Sequence, residues 1–172
     1  MERANVVVSE QDIVFSQNSR KRWDNQSDWY SRQQRYELPS IVSCIELTDL
    51  SSKTGPVIEV GCGTGLHSET IAKAFLGCSG SVLVACDFSK AMVNLMQDRF
   101  AQSSFTREAG HKVVMNCQTD FADPTNSDVV DLERILQENA PFDKLVYGCL
   151  ADNMRLPFAD ATFEAYVSNL SL

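Results

Sequence analysis

Basic residues are scarce in this chain: 15 Lys and Arg stand against 23 Asp and Glu, for a net charge of −8. Phosphate backbones reward basic surfaces, so nucleic acid is excluded as a main partner. Docking on anionic membranes is disfavoured for the same reason. Histidine is rarer still, with two in 172 residues. The six cysteines (Cys44, Cys62, Cys78, Cys86, Cys117 and Cys149) are scattered and never form a C-x-x-C pair. That spacing argues against zinc sites and a disulfide framework, and it fits reduced thiols in the cytoplasm. No apolar run approaches the ~20 residues of a membrane span. Met1 to Phe15 lacks the apolar core of a secretory leader, so none is expected. What remains, 44% hydrophobic and 22% charged, suits one soluble globular domain with a real core.

Glycine is also sparse, with eight in all, yet three fall at alternate positions: Gly61, Gly63 and Gly65. They follow a short apolar run, Val57, Ile58 and Val60, that carries one acid, Glu59. Leu66, Ile71, Ala74 and Phe75 then repeat at helical spacing. The pattern predicts a strand, a tight turn and a helix, a geometry that lets backbone N–H groups approach a ligand. The G-x-x-x-x-G-K-[ST] loop is absent, and Leu66 fills the place where a dinucleotide fingerprint needs Gly or Ala. A second strand, Ser81 to Asp87, ends in a carboxylate at the distance where nucleotide-binding α/β folds hold a ribose. Ser89 reads as a helix N-cap, and Met92, Leu95 and Met96 share one core-facing side.

Glu59 to Gly65, reading EVGCGTG, resembles motif I of the class I S-adenosylmethionine-dependent methyltransferases, and Asp87 to Val93, DFSKAMV, resembles their next conserved segment. A third stretch, LVYGCLADNMRLPF from Leu145 followed by ADATFEAYVSNLSL, is similar to paired segments of the methyltransferase type 11 group. The resemblance implies S-adenosyl-L-methionine as cofactor. It implies that Glu59 orients the methionine end, that Gly61, Cys62, Gly63, Thr64 and Gly65 make the cofactor loop, that Asp87 meets the ribose, and that Phe88 also borders the cofactor. It further implies that Asp152 meets the adenine amino group, that Asn153 and Met154 line the adenine, and that Ser168 and Asn169 close the site. Glu164 stands where the family usually has Asp. In related enzymes an N-terminal helix lids the cofactor with an aromatic; Tyr30 is the candidate here, with Trp29 second. No residue is assigned a catalytic role, and His67 is expected to be surface or packing.

Residues 1–22 are expected to be a flexible N-terminus, and residues 23–172 a single cofactor-binding domain. Ser27 is expected to cap a first helix and Pro39 to start a second, with Ile41, Val42 and Ile45 buried. The stretch from about 103 to 143 exceeds what a βαβ crossover of ~30 residues needs. It is expected to be a surface insertion holding an apolar run, Val113 to Met115, and a helix from Asp128 to Glu138.

The fold expected is α/β, a doubly wound Rossmann-like sheet of the class I methyltransferase type, mostly parallel and lacking its C-terminal strands. The chain is thus expected to be the N-terminal part of a longer enzyme, self-associating through an open sheet edge. The activity expected is methyl transfer to a small-molecule or lipid-like acceptor. Two alternatives stand beside it: a cofactor-binding regulatory protein without chemistry, and a nicotinamide-dependent oxidoreductase.

Overall fold

A computed structural model describes residues 9–36, 38–46, 49–76, 80–123 and 126–168. Among them a five-stranded parallel sheet carries helices on both faces. The strands are β1 (Val57–Val60), β2 (Ser81–Asp87), β3 (His111–Asp120), β4 (Lys144–Leu150) and β5 (Ala165–Ser168). They lie in the order β3-β4-β2-β1-β5. The four strands that carry the motifs lie side by side as β4-β2-β1-β5, in the Rossmann-like manner.

The central strands are apolar on both faces because both faces are covered. Val57, Leu83, Ala85, Val146 and Leu150 pack on one side with Val93, Met96 and Phe100 of helix α4 (Lys90–Gln102). Ile58, Val60, Val82, Val84, Leu145 and Tyr147 pack on the other, where Leu132, Ile135 and Leu136 of helix α5 (Leu132–Asn139) meet them. Strand alternation alone divides the two sets.

The segment expected to be a surface insertion joins the sheet instead. Its apolar run lies in β3, which pairs in parallel with β4 from His111↔Lys144 to Asn116↔Cys149. Its helix covers the second face, starting later than expected, with Asp131 accepting from the Arg134 N–H at 3.0 Å. Half-buried side chains on β3 need the neighbouring strand to cover them, so pairing wins over a solvent-exposed loop.

The N-terminus also departs from expectation. Helix α1 runs from Glu10 to Gln33, so residues 10–22 are helical rather than irregular. Its start is a capping box: the Asp12 N–H donates to Ser9 Oγ at 3.2 Å, and the Ser9 N–H donates to Asp12 Oδ2 at 3.2 Å. Ser27 lies inside this helix, buried, with its hydroxyl on the Asp24 carbonyl at 3.0 Å, and caps nothing. Helix α2 (Leu38–Glu46) follows, with Pro39 in its first turn and Val42 half-buried. The side chains of Ile41 and Ile45 lie outside the described residues.

Candidate functional site

The C-terminal ends of β1, β2 and β4 face one side of the sheet, where parallel folds bind ligands. After β1 the chain makes the glycine turn and enters helix α3 (Leu66–Thr70), which continues as a π-helical turn, Ile71–Phe75. Gly61, Gly63 and Gly65 all take positive φ, 72°, 54° and 77°. Two of these positions are crowded, Gly65 beyond what a side chain could fit. A Cβ on Gly65 would stand 2.5 Å from Met96 Cγ, inside the core, while one on Gly63 would stand 3.2 Å from Tyr30 Cε1. The loop is tied to β2 by N–H donation from Gly61 and Cys62 to the Cys86 carbonyl, at 2.8 and 3.1 Å.

Asp87 ends β2 beneath this loop and is 6% exposed. Its Oδ2 accepts from the Gly63 N–H at 2.9 Å and its Oδ1 from the Ser89 N–H at 2.9 Å. Burial pushes its pKa up to about 6 despite those bonds. Ser89 is the expected N-cap of α4, accepting from the Met92 N–H at 3.3 Å. Met92 and Met96 are buried in the core, as the helical spacing indicated. Phe88 is half-buried against the same core.

Glu59 projects from β1 toward α3, where Ser68 Oγ donates to its Oε2 at 2.5 Å. The carboxyl is 2% exposed, and burial raises its pKa to about 7. The Cys62 thiol is held well above its ordinary pKa by burial, with Asp87 the next cause. Thr64 is buried, and its hydroxyl donates to the Gln34 side-chain oxygen. His67 is buried, and burial lowers its pKa to about 4; it packs inside the domain rather than standing on the surface.

Asp152 follows β4 and caps a short turn, Asn153–Arg155, by accepting from the Met154 N–H at 2.9 Å. Asn153 and Met154 are exposed there. Ser168 ends β5, and Asn169 lies outside the described residues. The longer side chain of Glu164 has a structural use, since its Oε2 accepts from the N–H groups of Thr54 and Gly55 at 2.9 and 2.6 Å.

Helix α1 crosses this whole face, and it reaches further toward the N-terminus than the sequence indicated. Ser16 Oγ donates to Asp152 Oδ2 at 3.1 Å. Arg20 pairs with Asp120, at the end of β3, at 2.7 Å. Asp24 Oδ1 accepts from Ser89 Oγ at 2.6 Å and from the Ala91 N–H at 3.1 Å. Trp23 braces Tyr30 edge-on, with ring centroids 5.5 Å apart, and Tyr30 lies over Gly63. Trp29 is 58% exposed, so of the two lid candidates only Tyr30 faces the loop. Gln34, just beyond α1, is buried on Thr64 and was also missed; a glutamine in a polar stretch carries no signal by itself.

Among the described residues no cluster suits a metal ion, and no helix is long and apolar enough to cross a membrane. No curated protein and no solved structure matches the chain. Residues 57–150, from the first residue of β1 to the last of β4, match the family model of the methyltransferase domain. That match covers more than half of the 172 residues and contains the glycine loop, Glu59 and Asp87. The chain belongs to the methyltransferase domain family.

Proposed function

We propose that this chain binds S-adenosylmethionine and transfers its methyl group to a small-molecule or lipid-like acceptor in the cytoplasm. The observation that carries this reading is the glycine loop at positive φ, bonded through Gly63 to the carboxylate that ends β2. The chemistry of the donor set supports it. Two buried carboxyls, Glu59 and Asp87, suit the ammonium and hydroxyl groups of such a cofactor. Gln34 Nε2 is a buried donor without an acceptor beside the same loop. Four cysteines of the described residues are free thiols, which supports the cytoplasmic setting.

In this reading Asp87 and Phe88 border the ribose. Asp152, Asn153 and Met154 border the adenine. Gly61, Cys62, Gly63, Thr64 and Gly65 present backbone to the amino-acid end, with Glu59 beneath. The bound cofactor supplies an activated methyl on sulfur, open to in-line displacement. The chain's own part is to hold donor and acceptor in line and keep water out, and proximity of that kind supplies much of the rate. Helix α1, with Tyr30 over Gly63, is the element placed to exclude water.

Calorimetry with S-adenosylhomocysteine and with NAD tests the cofactor. One-to-one binding of the first and none of the second is expected. The reverse, in a folded sample, would overturn the reading in favour of a nicotinamide enzyme. Methyl transfer to a panel of acceptors then separates an enzyme from a cofactor-binding protein. The proposal extends to self-association through β5, the last strand in the sheet order, whose Tyr166 is 57% exposed. Sedimentation should show oligomers that Tyr166→Lys weakens, and a monomer at all concentrations would remove that part.

A further inference from the structure

Gln34 is fully buried, at 0% exposure, in the turn that ends α1. Its side-chain oxygen is taken by the Thr64 hydroxyl, and its Nε2 has no acceptor. That nitrogen stands 3.8 Å from the point where a Cβ would sit on Gly63. An unpaired buried donor is costly, and in a native fold it asks for an explanation. Here it sits against the glycine loop after β1.

The chemistry of the missing partner follows from the amide. An NH2 group only donates, so its partner must accept. The sheet order β4-β2-β1 sets Asp152, Asp87 and Gly63 in a row along the ligand face. With the base at Asp152 and the ribose at Asp87, the third part of the cofactor reaches Gly63. That part is an amino acid, with one ammonium and one carboxylate. The acids Glu59 and Asp87 match the donors of the ligand and repel its carboxylate. The nearby guanidinium of Arg99 is already engaged, with Nε on the Thr64 carbonyl at 2.9 Å and NH1 at 3.6 Å from Glu69. We infer that Gln34 Nε2 donates to the carboxylate of the cofactor's amino-acid end. This assignment rests on the cofactor reading above and adds to it a residue that selects the complete cofactor over its fragments.

The test compares two probes in calorimetry on the full chain: S-adenosylhomocysteine, and methylthioadenosine, which keeps base, ribose and sulfur but has no carboxylate. Gln34→Leu should weaken S-adenosylhomocysteine tenfold or more, by roughly the strength of a hydrogen bond to a charged group. Methylthioadenosine should bind the variant within about twofold of the parent, because that probe never meets Gln34. A third probe, S-adenosylhomocysteine lacking its carboxylate, needs no substitution: on the parent chain it should bind as weakly as the complete ligand binds Gln34→Leu. Should Gln34→Leu fail to fold, this comparison alone decides, and equal affinity with and without the carboxylate overturns the inference. Unchanged S-adenosylhomocysteine affinity in a folded Gln34→Leu, or equal loss of both probes, also overturns it while the cofactor reading stands. Binding of no probe to the parent chain overturns both.

Discussion

Tyr30 lies directly over Gly63, its Cε1 3.2 Å from the place a Cβ would occupy. Gly63 also holds φ at +54°, where an L side chain is strained. Gly63→Ala should therefore lose about 1–2 kcal/mol of stability from the backbone alone. It should lose cofactor affinity as well, because the added methyl lies between ring and loop. Thermal melts and calorimetry on Gly63→Ala check both. A companion Tyr30→Ala in the Gly63→Ala background should recover part of the stability if the ring contact contributes.

Glu59 and Asp87 make stability depend on pH. Burial raises their pKa values to about 7 and about 6, from ordinary values of 4.5 and 3.8. The folded state then binds protons more tightly than the unfolded chain. Their stabilising contribution is complete below about pH 4 and is lost as pH rises through about 6 to 7. Chemical denaturation between pH 4.5 and 7.5 should show stability falling, on the order of 2–3 kcal/mol from Glu59. Glu59→Gln, which keeps an acceptor for Ser68, should flatten most of that slope. A slope unaltered by this change would mean that Glu59 ionises normally.

Asp24 caps α4 from outside its helix, accepting from both Ser89 Oγ and the Ala91 N–H. Asp24→Ala should cost about 1–2 kcal/mol, the value of a lost helix cap, and should release α1 from the domain. Arg20→Ala should cost at most about 1 kcal/mol, since its pair with Asp120 is partly exposed, 24% and 37%. Denaturant melts of the two variants give the ranking directly.

Cys62, Cys86 and Cys149 are buried, and burial raises the pKa of each thiol. Iodoacetamide at neutral pH should leave their peptides unmodified, since the thiolate is the reactive form. Cys117, half-buried on β3, should react ahead of them. Mass spectrometry of digested protein reads this order, and early labelling at Cys62 would show that the glycine loop opens readily.

The parts of the fold that were legible in the sequence are those whose chemistry is local. A turn at positive φ needs glycine, a helix start needs a cap such as Ser89, and a doubly covered strand needs an unbroken apolar run such as Val82 to Cys86. These demands write themselves into neighbouring residues. The first half of helix α1 was hidden because its contacts with the domain are made by Ser16, Arg20 and Asp24, while the aromatics Trp23 and Tyr30 that mark a packed face come only later. Periodicity arguments look for apolar stripes and pass over such polar contacts. The place of β3 was hidden for another reason. Its run Val113 to Met115 is legible as apolar, but its partner β4 begins more than twenty residues later, and pairing across that distance leaves no local mark.

The polar contacts that the first half of α1 makes at Ser16, Arg20 and Asp24 set how the site can be entered. A helix held by an apolar stripe exposes that stripe when it lifts, at about 25 cal/mol per Å2 of apolar area. Ser16, Arg20 and Asp24 exchange their partners for water at little net loss instead, because each hydrogen bond broken is replaced. That half of the helix should therefore act as a door, lifting while the sheet beneath keeps its shape. Amide exchange should find α1 opening far below the cost of unfolding β1, β2 and β4, and slowing once S-adenosylhomocysteine is bound. Protection in α1 equal to that of the central strands, with no ligand present, would mean that the door does not open on its own.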